Sequence, residues 1–241
     1  MKNSIKLGFA ALAVAASVQA FAADVEVKEE AENEYEAIGW TPIALGIASP
    51  VQLPWGSHKW DVFGLDLNLI WTDAAKMYGI GIGGVAMATR DTLGGLQISA
   101  LCNWASADSY GLRATLGGNI NFGDMAGFEA GLFAYRTGET RAVDVELVGA
   151  YQPKFWGLQI SGLANVATEQ SYGCSIAGLC NWAPVDYGCD LGIFNYTTEL
   201  HGCQLGVVNY AKECPWGFQI GLVNIIMDNS WKVLPIINCY F

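Results

Sequence analysis

A glycine returns every 14 to 16 residues along most of this chain, and that spacing limits the fold more than any other feature. Units open at Gly64, Gly79, Gly95, Gly111, Gly127, Gly157, Gly173, Gly188, Gly202 and Gly217. The step from Gly127 to Gly157 is 30 residues and holds one degenerate unit near Val143. Later units share Gly, a variable residue, a polar residue, Ile or Leu, and then a small or apolar run ending in Asn. Gly157-Leu158-Gln159-Ile160 through Asn165 and Gly217-Phe218-Gln219-Ile220 through Asn224 show the pattern. Tyr or Trp often precedes the opening Gly, as at Tyr78, Tyr110, Trp156, Tyr172, Tyr187 and Trp216. A fixed period of this kind means an array of equivalent supersecondary units.

Inside a unit the periodicity is two. Phe63, Leu65, Leu67, Leu69 and Trp71 share one face, and Gly64, Asp66 and Asn68 share the other. Leu112, Ala114 and Leu116 alternate with Arg113, Thr115 and Gly117, and Val143, Val145 and Leu147 with Asp144 and Glu146. Side chains alternate this way on strands, not on helices. Polar breaks such as Ser106-Ala107-Asp108-Ser109, Gly138-Glu139-Thr140 and Pro184-Val185-Asp186 have turn composition. The chain is therefore expected to be all-β.

Alternating runs of about 9 to 12 residues exceed the usual globular strand and match the strands of membrane barrels. The expected fold is an antiparallel up-and-down β-barrel of about twelve strands, outer-membrane type, over 61–241. Residues 39–60, with Pro42, Pro50 and Pro54, form an edge strand or plug. Aromatics such as Trp71, Tyr110, Trp156 and Trp216 would sit in interfacial belts. The alternative is a β-solenoid, in which near-identical units stack as coils and equivalent Asn side chains form a ladder. Length of alternation favours the barrel, and uniformity of the units favours the solenoid.

The cysteines separate these two folds. Cys174, Cys189 and Cys203 each follow the opening Gly of consecutive units. Stacked coils would set them about 4.8 Å apart, within disulfide range. An up-and-down meander would send them to alternate barrel ends and bring Cys180 towards Cys189 instead.

The N-terminus has an export pattern. Lys2 and Lys6 precede an apolar run from Leu7 to Val18, and Ala20-Phe21-Ala22 is a small-x-small cleavage site. The expected signal peptide is 1–22, followed by an acidic flexible N-terminus at 23–38. Without Lys2 and Lys6 the chain keeps 10 basic residues against 23 acidic ones, an excess that argues against nucleic-acid partners. Export and barrel architecture together imply the outer membrane, with its lipid and assembly machinery as partners and the periplasm or cell surface as other locations. The chain thus reads as a signal-bearing cell-envelope repeat protein with transmembrane β-strands.

Catalytic motifs are missing. No Gly-x-Ser-x-Gly, His-Glu-x-x-His or Gly-x-x-x-x-Gly-Lys-Ser/Thr motif occurs. Gly79-Ile80-Gly81-Ile82-Gly83-Gly84 runs into another repeat rather than a βαβ unit, and His58 and His201 fit structural positions. Seven cysteines include no Cys-x-x-Cys pair, so no metal or other cofactor is expected. The expectation is a non-enzymatic envelope protein, structural or a narrow cation-preferring channel. Its lumen would be lined by Asp66, Glu129, Asp144, Glu146 and Asp190, with Arg113 opposed. A secreted or periplasmic solenoid acting as a surface binding module is the alternative function.

Two resemblances carry further expectations. Trp231 to Phe241 ends on an aromatic, with Cys239, Ile237, Pro235 and Val233 on its face. It resembles the terminal strand of outer-membrane barrels, which implies that Phe241 is part of a membrane-insertion signal. The Gly-x-Gln-Ile-Gly-Leu-x-Asn units, with Trp60-Asp61-Val62-Phe63-Gly64-Leu65-Asp66-Leu67-Asn68-Leu69, resemble bacterial surface repeat-containing proteins. That resemblance implies a cell-envelope location and transfers no catalytic residue or ligand.

Overall fold

A computed structural model describes residues 37–239 of the chain. The leader at 1–22, most of the acidic segment, and Phe241 with its expected insertion role lie outside the described residues.

The chain begins with β1 (Trp40–Ala48), β2 (Val51–Leu53) and a short 3-10 turn at Ser57–Lys59. Then come β3 (Asp61–Ala74), β4 (Met77–Gly83), β5 (Ala86–Thr89), β6 (Leu93–Ser99), β7 (Cys102–Ala105), β8 (Ser109–Thr115) and β9 (Gly118–Asn121). Longer runs follow: β10 (Met125–Arg136), β11 (Glu139–Ser161), β12 (Ala164–Ala177), β13 (Cys180–Ile226) and finally β14 (Val233–Cys239).

Pairing between successive coils is parallel and in register. Leu65 faces Ile80, Ile80 faces Leu96, Leu96 faces Leu112, and Leu112 faces Phe128. The same column continues through Val143, and Leu158 then pairs with Cys174 and Cys174 with Cys189. The molecule is therefore a β-solenoid. This corrects the expected antiparallel barrel, because an up-and-down meander has only antiparallel neighbours. Antiparallel pairs close the two ends instead: β1 with β2, and β13 with β14. The C-terminal strand's resemblance to a barrel strand is corrected in the same way. Val233 to Cys239 lies back along the last coil, Phe218 opposite Cys239 and Ile225 opposite Val233, as an end cap.

The long alternating runs misled because an extended run can continue through a corner. The first half of β3 pairs with β4, Val62 to Met77 through Asn68 to Gly83. Its second half pairs with β5, Trp71 to Ala86 through Ala74 to Thr89. One extended run thus contributes to two sheets, and each coil has two straight segments. The degenerate unit keeps this register, Ala142 meeting Gly127 and Val143 meeting Phe128.

The opening glycines stack coil on coil. Gly173 has φ +123°, and a Cβ there would fall on the carbonyl oxygen of Gly157 in the coil before. Gly111 repeats the arrangement against Gly95 at φ +125°. Any L side chain at these points meets both an unfavourable dihedral and a neighbouring backbone.

The polarity of the faces is the second correction. Asp66 and Asn68 are buried, whereas Phe63, Leu69 and Trp71 are exposed. The polar side of every alternating run faces inward, and the apolar side faces out. Apolar interior clusters occur towards the ends, Ala44, Val62, Ala74, Met77, Met87 and Leu93 at one and Leu200, Ala211, Cys214 and Ile226 at the other. Between them the interior is mainly polar and hydrogen-bonded, with Met125 and Phe155 as large buried apolar side chains. Asn165, Asn181, Asn195, Asn209 and Asn224 form a ladder in which each Nδ2 donates to the next Oδ1 at 2.8–2.9 Å. Each also donates to a backbone carbonyl, Asn181 to Leu191 and Asn195 to Leu205. Buried amides are tolerable here because their hydrogen bonds are satisfied.

Candidate binding surface

All six residues expected to line a lumen point into the solenoid. Asp66, Arg113, Glu129, Asp144 and Asp190 occupy one inward column, two residues after the opening position of their coils, and Glu146 lies in the next. They do not line a channel. The void beside Gln159, Asn165 and Asp190 measures about 10 Å3, room for at most one water. The expected cation channel is corrected accordingly: Arg113, Glu129 and Asp144 are held in a buried ion network with Arg136, and Asp66 and Asp190 are packed against Asn68 and Asp186.

Arg113 and Arg136 sit at the centre of that network. Arg136 Nη2 lies 3.1 Å from Glu129 and 3.0 Å from Asp144, and its Nη1 donates to Asp144 at 3.0 Å and to Gln152. Arg113 donates through Nε to Gln97 and through Nη2 to the carbonyls of Asn103 and Ile120, with Glu129 at 3.6 Å. Burial works against the Arg136 charge, but Asp144 and Glu129 outweigh it and hold it protonated. Two guanidinium groups thus face three carboxyls. Burial, then the negative Asp144 and Glu129, push Glu146 up to about 9, so near neutral pH it holds a proton and the cluster balances. Asn is replaced by Ala134 and Ala150 in these coils, and the vacated space holds the ion network.

Arg136 and Gln152 were not assigned to the lining, and Asp186 was assigned to a turn. Gln152 keeps the phase of Asp144 and Glu146, so alternation reaches it. Arg136 lies seven residues after Glu129, beyond a one-residue shift at the corner, so alternation puts it on the opposite face. Asp186 has the composition of a turn, yet it pairs in register with Ser171 and is buried. It faces Asp190 across the interior. Burial raises Asp186 to about 7, and burial together with Asp186 raises Asp190 well above the carboxylate range.

The outer surface is apolar. On the sheet face that carries Leu65, Leu67 and Leu69, the outward positions of eleven coils (opening at Gly64, Gly79, Gly95, Gly111, Gly127, Ala142, Gly157, Gly173, Gly188, Gly202 and Gly217) hold only Arg141 and His201 as titratable cations and no acid. Leu69, Leu116, Leu147 and Leu222, at the corner of this face, are 68–83% exposed. Exterior charges gather at the opposite corner, where Lys76 pairs with Asp91 at 3.2 Å and Lys154 with Glu169 at 3.6 Å. Asp108, Asp124 and Glu139 lie in the corresponding corners of neighbouring coils.

Aromatic side chains are not arranged in belts. They stack along the coils, because in-register rows repeat at the distance of ring packing. Trp156, Tyr172, Tyr187 and His201 are separated by 3.8, 4.6 and 4.4 Å with planes within 10°. A second stack on the other sheet holds Tyr196 and Tyr210 at 5.0 Å. Ring faces are spent on one another, so the stacks present their edges to a partner.

A parallel coil with both sheets packed on a polar interior has no closed antiparallel ring with which to cross a bilayer. Outer-membrane insertion, transmembrane β-strands, and outer-membrane lipid and assembly machinery as partners are therefore corrected together, and the location implied by them falls with them. No helix of the described residues is long and apolar enough to cross a membrane, and no cluster of His, Cys, Asp or Glu among them is suited to holding a metal ion. The resemblance to surface repeat-containing proteins is not supported either: no family model, curated protein or solved structure matches this chain.

Proposed function

We propose that this protein is an exported, secreted or periplasmic β-solenoid that acts without catalysis as a surface binding module. The observation that carries this is the inverted polarity of the fold, with charges packed inside and a continuous apolar sheet outside. Eleven coils at about 4.8 Å give a face roughly 50 Å long, and its four outward residues per coil span roughly 20 Å. The resulting area, on the order of 1,000 Å2, exceeds both the usual patch on a monomer and the ~800 Å2 that each partner buries in a stable complex. A regular, flat face of Leu, Ile and Val suits a partner surface that is itself flat and apolar, and the export pattern at 1–22 would bring it to the cell envelope or beyond.

The test adds purified mature protein to isolated cell envelopes and sediments them. Wild type is expected to co-sediment, and Ile160→Lys with Leu191→Lys, two outward positions in the middle of the face, is expected to stay in the supernatant with an unchanged circular dichroism spectrum. Wild type that remains wholly in the supernatant would overturn the reading.

A further inference from the structure

Cys174, Cys189 and Cys203 stand in one row on the outer sheet face. Cys174 pairs in register with Cys189. Cys203 follows at the same position of the next coil, as shown by the stacking of Gly202 on Gly188 and of His201 on Tyr187 at 4.4 Å. All three are partly exposed and all are free thiols. The neighbouring thiols raise one another's pKa, Cys189 acting on Cys174 and Cys203 on Cys189. Cys189 has a thiol on each side, which no other cysteine of the described residues has. Cys102 faces Ala86 and Gly118, and Cys180 faces Ala164.

We propose that this row is a thiol–disulfide exchange site, in which Cys189 forms a disulfide with either neighbour and the bond moves along the row. The oxidant is an external disulfide, R–S–S–R. The Cys203 thiolate attacks one of its sulfurs, the R–S–S–R bond breaks, and R–S⁻ leaves and takes up the proton that Cys203 gave. Cys189 then attacks the Cys203 sulfur, expels the second R–S⁻, and its proton goes to that leaving group. Two thiols have been oxidised to one disulfide, and R–S–S–R has been reduced to two R–SH. Cys174 next attacks Cys189 and releases Cys203 as a thiol, with no net change of oxidation state.

Three features support the site. In-register residues of a parallel pair lie about 4.8 Å apart, inside the Cα range of about 4.4–6.8 Å that a disulfide tolerates, so Cys189 can be joined to either neighbour without a change of register. The free thiol beside each link sits where an attacking group is needed. A recess of about 320 Å3 lined by Gly202, Pro215, Trp216, Gly217 and Phe218 lies beside the Cys203 end of the row. Burial and the Cys203 thiol push Cys189 up to about 12, so attack does not begin at the centre of the row.

The experiment oxidises the whole protein with oxidised glutathione, quenches with acid and maps disulfides by mass spectrometry. Wild type is expected to give both Cys174–Cys189 and Cys189–Cys203. Cys203→Ser is expected to give the first alone, Cys174→Ser the second alone, and Cys189→Ser only glutathione adducts, each with a wild-type circular dichroism spectrum. Cys189 that stays free in wild type, or that joins Cys180 or Cys102, would overturn the proposal. So would a single fixed link whose partner does not change over time in the presence of substoichiometric glutathione.

Discussion

At the scale of single residues, the polar interior makes side-chain chemistry count for more than size. Asn195 accepts from Asn181 and donates to Asn209 and to the Leu205 carbonyl. Asn195→Ala removes these bonds and leaves the Asn181 amide and the Asn209 side-chain oxygen each short of one buried partner. The expected loss is about 2–3 kcal/mol, read as a lower midpoint in urea at unchanged slope. Glu146 behaves differently because it already carries a proton. Its folded-state value, about 9, lies above the ordinary 4.5, so its contribution is complete in acid and is lost as pH rises towards about 9. Asp186, raised to about 7, adds a similar loss that sets in above about pH 4. Wild-type stability is therefore expected to fall between about pH 5 and 9. Glu146→Gln, neutral at every pH, should flatten that decline, most completely above about pH 7, and leave the midpoint near pH 4 almost unchanged. A urea series at several pH values checks both statements, and a wild type that gains stability towards pH 9 contradicts them.

At the scale of elements, the ion network joins three coils through two arginines. Arg136→Met removes the cation that Glu129 and Asp144 share and leaves both carboxylates buried without it. A cost of about 3–5 kcal/mol is expected, against a small effect for Lys154→Met, whose pair with Glu169 is exposed on both sides. Thermal melts of the two variants separate these outcomes. The network also shows what sequence could and could not disclose. Alternation around Asp144 and Glu146 put both on one face, and the structure keeps them there. Alternation defines two faces without saying which is inside, so Leu65, Leu67 and Leu69 were given to lipid when Asp66 and Asn68 were the packed side. It is equally silent about corners, because β3 turns between Asn68 and Trp71 without a break in the strand. Parallel stacking was visible only in the sameness of the units, such as the recurring Asn165, Asn181 and Asn195, which a meander of reversing strands has no need to keep.

At the scale of the whole molecule, each coil touches only the coils before and after it, so stability is a sum of coil and interface terms. Length in such a system is adjustable in whole coils. Deleting residues 202–216 joins His201 to Gly217 and removes one coil. Asn195 then meets Asn224, a pairing of the type already present in the ladder, and Asp190 meets Gln219. The shortened protein is expected to fold with a β-sheet spectrum and one cooperative melt at a lower temperature. Deleting 233–239 acts on the same coils in a different way. It uncovers the last coil's edge from Phe218 to Ile225, now closed by the antiparallel cap with its Pro235. A bare parallel edge beside an apolar face is a template for further strands. This second variant is expected to assemble end to end, seen as concentration-dependent growth in light scattering, while the coil deletion stays at its starting size. If instead the coil deletion fails to fold and the cap deletion stays dispersed, coil-by-coil additivity and edge protection are both wrong for this protein.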